Sequence, residues 1–342
     1  MSTSPTDERL ATLSDWLRHE LALPVTDIHP ASSDASFRRY FRAITDDASF
    51  IVMDAPPPME DVRPFMSVAA LLRQTGVRAP KVHAADETRG FLLLDDFGGT
   101  SYLDRLDADN ADALYGDALD ALARLQAGVD IASTALPPYD ETLLWTEMDL
   151  FRNWFLQHLL GLTLTPDEHA LLDRAWRLLT DSALEQPRVC VHRDYHSRNL
   201  MALDEDNPGV LDFQDAVVGP VTYDLVSLLR DCYIAWPNQR VEQWALGHRA
   251  RLVEAGRLKE VDADRFLHWF DLMGVQRHLK AIGIFSRLKL RDGKGGYLGD
   301  IPRTLDYVTR VLARYEALAD FHEFLGERVL EPADRTLTGL RA

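Results

Sequence analysis

The sequence predicts an α+β protein of two lobes: a strand-rich N-lobe, residues 1–96, and a mostly helical C-lobe, residues 97–342. Three observations predict it. Up to about Asp96, short aromatic and β-branched runs alternate with turn residues. After Gly98-Gly99 the apolar residues recur at helical spacing, broken once by a group of short strands. The 342 residues are enough for two lobes that each bury a core.

The elements follow in order. Thr6 is placed to cap a helix through about Leu21, with Leu10, Leu13, Leu17 and Leu21 as one stripe. Residues 37–44 and 50–53 read as strands separated by the turn Thr45-Asp46-Asp47. A short helix fits 64–75 and ends at Gly76. Residues 82–85 and 91–94 make a second hairpin around 87–90. Helical periodicity then covers 111–127, 142–160 and 166–184. Strands return at 189–192, 200–203 and 210–212, and helices dominate from Tyr223 to about Leu325. No internal repeat or low-complexity linker interrupts the chain.

Composition narrows the partners. Hydrophobic residues make up 46% and charged ones 27%, ordinary for a globular protein in water. The formal net charge is 37 − 54 = −17. A nucleic-acid duplex or an anionic membrane surface is a poor partner for that balance. Cys190 and Cys232 are the only cysteines and have no metal-knuckle spacing. Residues 1–9 are polar and mixed in charge, and no run of about 18 apolar residues exists, so a cytoplasmic location is expected.

The most informative segment is His192-Arg193-Asp194-Tyr195-His196-Ser197-Arg198-Asn199, a polar loop between two apolar strands. Asp194 and Asn199 stand five residues apart in it, and Asp212 ends another apolar run eighteen residues past Asp194. Phosphoryl transfer needs these groups: one carboxylate to take the proton of an acceptor hydroxyl, an amide and a second carboxylate to hold Mg²⁺ on the phosphates. Carboxylate and amide oxygens are the hard donors that magnesium prefers. The spacing of His192, Asp194 and Asn199 alone arises by chance in roughly one chain of this length in a hundred.

On these residues the chain resembles the aminoglycoside phosphotransferase and choline kinase superfamily, distant relatives of protein kinases. The segment 211–216, then Gly219-Pro220 and Tyr223-Asp224-Leu225, resembles that superfamily's metal-binding segment and the helix start after it. The resemblance implies a bilobal protein-kinase-like fold, ATP as donor, Asp194 as catalytic base, and Asn199 and Asp212 as metal ligands. It also implies His192 and Asp224 as braces of the loop, although a carboxylate at a helix start is a sufficient account of Asp224.

The nucleotide side departs from protein kinases, which use a glycine-rich loop and a lysine on the third strand. The corresponding loop is Ala31-Ser32-Ser33-Asp34-Ala35-Ser36, and no lysine occurs near Met53 or Asp54. Ser33 and Ser36 are candidates to present backbone N–H groups to phosphate. Strand alternation puts Arg38 and Arg42 on one face and Arg39 on the other, and Arg38 is the candidate cation. Three surface arginines are an equal account of the same pattern. Residues 91–99 resemble the hinge that meets adenine, with Asp95 and Phe97 as candidates; a buried strand followed by a turn explains the same letters.

For the acceptor, residues 271–285 set Gln276, Arg277 and Lys280 on neighbouring faces of an otherwise apolar helix. Such groups suit a substrate's amide, carboxylate and hydroxyls, or an ordinary amphipathic surface. Several segments, 34–42, 52–57, 192–199 and 276–280, resemble one branch of the superfamily: the anomeric N-acetylmuramate/N-acetylglucosamine kinases of bacterial cell-wall recycling. That branch is similar in lacking the usual lysine. It implies a small amino-sugar substrate, with Arg277 as partner of a lactyl carboxylate. Gln276 and Gln214 complete the expected substrate set, and His196 and Arg198, placed to point to the acceptor or the phosphates, are read first as solvent-facing loop residues. The alternatives are a kinase for an aminoglycoside, choline or homoserine, or a non-catalytic nucleotide-binding protein.

Overall fold

The structure, a computed structural model, describes residues 7–33, 37–259 and 261–341, and of Ser32, Ser33 and Arg341 only the backbone. The chain forms two compact units, Met1–Thr100 with Met201–Asp215, and Ser101–Leu200 with Ala216–Ala342.

The first unit opens with α1 (Glu8–Asp15), capped by Asp7, whose carboxylate accepts the Leu10 N–H, and continued by a π-helical turn, Trp16–Glu20. Thr6, the expected cap, lies outside the described residues. Five strands follow, with one helix between them: β1 (Asp27–Ser33), β2 (Arg39–Ile44), β3 (Ser49–Asp54), α2 (Arg63–Gln74), β4 (Val82–Asp86) and β5 (Phe91–Asp95). They form one antiparallel sheet in the order β1-β2-β3-β5-β4. Pro30 sits in the edge strand β1, where a missing N–H is tolerated. Leu13, Trp16 and Leu17 of the helical stripe pack on Phe41, Ala43, Val52, Phe91 and Leu93 of the sheet. Asp54, fully buried at the end of β3, accepts from Arg39 Nε at 3.0 Å and from Arg9 Nε of α1 at 2.9 Å, latching helix to sheet.

Along the chain after Thr100 come α3 (Tyr102–Arg105), α4 (Ala111–Gly128) and α5 (Glu141–Leu150), the last extended by π-helical Phe151–Leu159. Next are α6 (Pro166–Leu184), β6 (Arg188–Val191), the short β7 (Leu200–Met201) and β8 (Gly209–Val210), and β9 (Val217–Pro220). Then α7 (Tyr223–Leu229), α8 (Asn238–Glu254), α9 (Ala263–Asp292), α10 (Ile301–Leu312), α11 (Ala319–Phe324) and α12 (Leu330–Arg341) complete the chain, so helix runs on past Leu325. Capping chemistry sets the starts: Thr165 and Glu168 form a capping box at α6, and Asp140 and Asp262 cap α5 and α9. Gly293, at φ 70°, ends α9 in the left-handed conformation.

α9 is the axis of the second unit. Its Leu272, Val275, Leu279, Ile282 and Phe285 sit in a core with Met148, Phe151, Trp176, Leu305 and Phe321. Gly283 permits close approach to α5: a Cβ there would lie 2.3 Å from the Leu150 carbonyl carbon.

The stretch from Met201 to Asp215 belongs with the strands, although a single cut after Asp96 assigns it to the helices. The Val210 N–H donates to the Arg78 carbonyl at 2.8 Å, and the Phe213 ring lies 4.7 Å from Phe65 of α2. No helix among the described residues is long and apolar enough to cross a membrane.

Candidate active site

In the second unit β6 pairs antiparallel with β9, Val189 opposite Gly219 and Val191 opposite Val217. β6 ends at Val191, and the chain turns through Arg193 at φ 77°, a left-handed conformation uncommon outside glycine. The turn is held from below. Asp224, in the first turn of α7, accepts the N–H of His192 at 2.7 Å and of Arg193 at 3.0 Å. Burial pushes its carboxyl up to about 7, against those two donors.

The rest of the loop is wired to itself and to neighbouring helices. The Asp194 N–H meets His192 Nδ1 at 3.2 Å, and the Asp194 carbonyl accepts from the His196 N–H and from Asn199 Nδ2, each at 3.0 Å. Tyr195 donates its hydroxyl to the Ala118 carbonyl of α4 at 2.7 Å, and Asp231 takes the Ser197 N–H at 2.9 Å. Because Asn199 turns its N–H toward Asp194, any donation to a cation falls to its Oδ1.

Asp194 is partly buried, which alone would raise its pKa. The positive charge of Lys280 first, with that of Arg277, outweighs this and holds the carboxyl below the usual range. At neutral pH the carboxyl is therefore ionised. Lys280 is fixed by Glu147 of α5, at 3.1 Å, and by the Tyr223 hydroxyl, at 2.9 Å. Glu147 also accepts from Arg193 at 2.5 Å, from Gln276 Nε2 at 3.1 Å and from the Tyr139 hydroxyl. Burial would raise the Glu147 pKa, but Lys280 and Arg193 together hold it down. Sequence reasoning missed Glu147, which stands 46 residues before Arg193 in a helix whose letters give no sign of a buried acid.

The other expected residues fall as follows. Arg277 is buried, its guanidinium 3.7 Å from Cys232 Sγ and its Nε without a partner. Gln276 gives its amide N–H groups to Tyr139 and Glu147 and keeps a buried Oε1 without a partner. In the first unit Asp212 is at φ 61°, and Gln214 Nε2 donates to its Oδ1 at 2.8 Å, so Gln214 orients that carboxylate. Arg38 faces Glu60 at 3.8 Å, Arg39 faces Asp54, and Arg42 grips Asp96 at 2.6 Å and 3.0 Å. Asp95 accepts the Lys81 N–H at 3.0 Å and pairs with His83 at 2.7 Å. Phe97 is buried against Gly209, where a Cβ would come within 2.6 Å of its ring. Ser33 ends β1, with only its backbone described, and Ser36 lies outside the described residues.

Among the described residues no group of three or more His, Cys, Asp or Glu is placed to hold a metal. The amide oxygen of Asn199, in the second unit, and the carboxylate of Asp212, in the first, are each a hard oxygen donor of the kind magnesium takes.

Comparison with known proteins identifies the family. A model of the phosphotransferase enzyme family, APH, matches residues 27–260. The chain is 52% identical over 329 residues to an N-acetylmuramate/N-acetylglucosamine kinase of Pseudomonas aeruginosa, covering 93% of this chain and 96% of the relative. It is 47% identical over 331 residues to a protein of the same name from Pseudomonas putida, covering 94% and 97%. Among solved structures it resembles the choline kinase LicA of Streptococcus pneumoniae, with a TM-score of 0.61 at 13% identity over 90% of this chain and 99% of that one. It also resembles ADP-bound aminoglycoside phosphotransferase APH(2'')-Ib, with a TM-score of 0.58 at 15% identity over 88% and 98%. The loop that holds Asp194, the family match and the shared fold agree: the chain belongs to the phosphotransferase enzyme family, with an aminoglycoside-phosphotransferase-like, protein-kinase-like fold.

Proposed function

We propose that the chain is an ATP-dependent kinase that phosphorylates the anomeric hydroxyl of N-acetylmuramate and N-acetylglucosamine, acting in the cytoplasm in the recycling of cell-wall sugars. The observation that carries the chemistry is Asp194: ionised, rigidly placed by its own loop, and surrounded by cations that keep it so. Identity near one half with two kinases so named, over more than nine-tenths of each chain, supports the sugar class.

In this reading Asp194 accepts the proton of the C1 hydroxyl as that oxygen attacks the γ-phosphorus of ATP in line, and ADP leaves. An anomeric hydroxyl is more acidic than an ordinary alcohol, so a carboxylate of lowered pKa is a sufficient base. Asn199 and Asp212 are the proposed magnesium ligands, and an ion held there would neutralise charge on the phosphate oxygens. His192 and Asp224 keep the loop in the conformation that aims Asp194. Arg277 and Gln276, both in α9, are the proposed substrate contacts together with Gln214. Ser33, Ser36 and Arg38 remain proposals for the phosphates, and the backbone around Asp95 and Phe97 for adenine.

The test is transfer from ATP and Mg²⁺ to each sugar, read by phosphorus NMR, for the wild type and for Asp194→Asn. Formation of the 1-phosphate, with a loss of about 10²–10⁴-fold in kcat for the variant, is expected. Turnover of a 1-O-methyl glycoside would overturn the anomeric assignment. Failure with both sugars by protein that binds ATP would overturn the sugar class, leaving aminoglycosides, choline and homoserine to be tried.

A further inference from the structure

Arg198 precedes Asn199 in the catalytic loop and, unlike the other cations of this site, is exposed. Its guanidinium carbon lies 4.0 Å from the centre of the Tyr233 ring and 5.5 Å from that of Tyr297. Tyr297 is in turn stacked on Phe285 of α9, with ring centres 5.5 Å apart and planes 12° apart. Among the described residues Arg198 has no ion-pair partner. Asp104 and Asp300 are carboxylates near enough to feel its charge. Both are already engaged, Asp104 in the capping box with Ser101 and Asp300 with Arg303 at 3.1 Å.

The arginine and its aromatic support are fixed to one another. The buried carboxylate of Asp231 accepts the Ser197 N–H through one oxygen and the Tyr233 N–H through the other, each at 2.9 Å. The Ser197 carbonyl accepts the Leu103 N–H at 3.0 Å, so the backbone just before Arg198 is held on both sides. A guanidinium lying on an aromatic face keeps its N–H edge for an acceptor in its own plane, and a carboxylate matches that fork. The ordering entropy of the long side chain is partly spent on the aromatic contact before any ligand arrives.

Arg277 meets these requirements less well. It is buried, faces Cys232, and its charge helps hold Asp194 ionised. The support of Arg198 reaches α9, where Tyr297 stacks on Phe285, and α9 is the helix that carries the acceptor candidates Gln276 and Arg277. That favours an anion on the acceptor over the phosphates of ATP.

We propose that Arg198 is the specificity-determining residue that binds the lactyl carboxylate of N-acetylmuramate, the group that N-acetylglucosamine lacks. This rests on the amino-sugar kinase reading above. Arg198→Gln and Arg198→Lys are compared with the wild type through kcat/KM for each sugar, with N-acetylglucosamine turnover as the internal control for folding. Loss of one charge-assisted pair predicts a drop of about 10–100-fold for N-acetylmuramate in Arg198→Gln. N-acetylglucosamine should change by less than about threefold, a shift within that of a surface substitution. Arg198→Lys should recover part of the loss, since charge survives and the planar fork does not. An equal fall for both sugars would make Arg198 a phosphate or loop residue and overturn the proposal, as would no change for either. Wild-type enzyme inactive on both sugars would sink the amino-sugar reading, and this proposal with it; activity on both leaves the Arg198 result to judge the proposal alone.

Discussion

Lys280 is the charge that weighs most on Asp194, the proposed base. Its ammonium is held between Glu147 and Tyr223 and contributes the largest charge effect on Asp194. Replacing it by Met removes a nearby positive charge, so the Asp194 pKa must rise. The acid limb of the kcat/KM–pH profile of Lys280→Met should therefore move to higher pH. An unmoved limb would show that Lys280 is only a packing residue. The role was half visible in the letters: the spacing of Gln276, Arg277 and Lys280 drew attention to α9. What the spacing lacked was Glu147, which arrives from α5 and turns a polar helix face into a buried charge cluster.

At the scale of elements, the second unit depends on how closely α9 meets α5. A methyl at Gly283 would lie 2.3 Å from the Leu150 carbonyl carbon and 2.5 Å from the Phe151 nitrogen, both backbone atoms that cannot swing aside. Gly283→Ala should cost about 1–3 kcal/mol of stability, the usual range for overpacking a core. Urea denaturation followed by near-UV circular dichroism checks this, and an unchanged midpoint would refute the close approach. The helices themselves were legible because periodicity and capping residues are local: 166–184 in the sequence is α6 in the structure, begun by Thr165 and Glu168. β9 was not found, since four residues reading Val-Val-Gly-Pro acquire strand character only by pairing with β6. The last helix was also missed, because its apolar face is short: Ala333 and Leu337 are what it adds to the core among the described residues.

For the whole molecule, the pH dependence of unfolding joins opposing groups. Asp224 is raised to about 7 by burial, so the folded state binds its proton more tightly than the unfolded chain does. Its contribution is full below the ordinary aspartate range and is lost as pH rises toward 7, and above that it is constant. Asp194 and Glu147, held low, act in the other direction: their contribution is present near neutrality and is lost as pH falls through their lowered values. The stability difference between wild type and Asp224→Asn, measured by urea unfolding from pH 4 to 8, should shrink as pH rises to about 7 and then level off. A difference that grows over that window would reverse the assignment. By itself the sequence determined the class of fold, the loop from His192 to Asn199 with its following Asp212, and the net acidity, because each is a matter of local spacing or of composition. Only the tertiary structure decided that Asp224 and Asp231 clamp the loop, that Glu147 collects Arg193 and Lys280, and that Tyr233 and Tyr297 carry Arg198. These contacts join residues tens of positions apart, and chain folding brings them together through packing that no short-range pattern encodes.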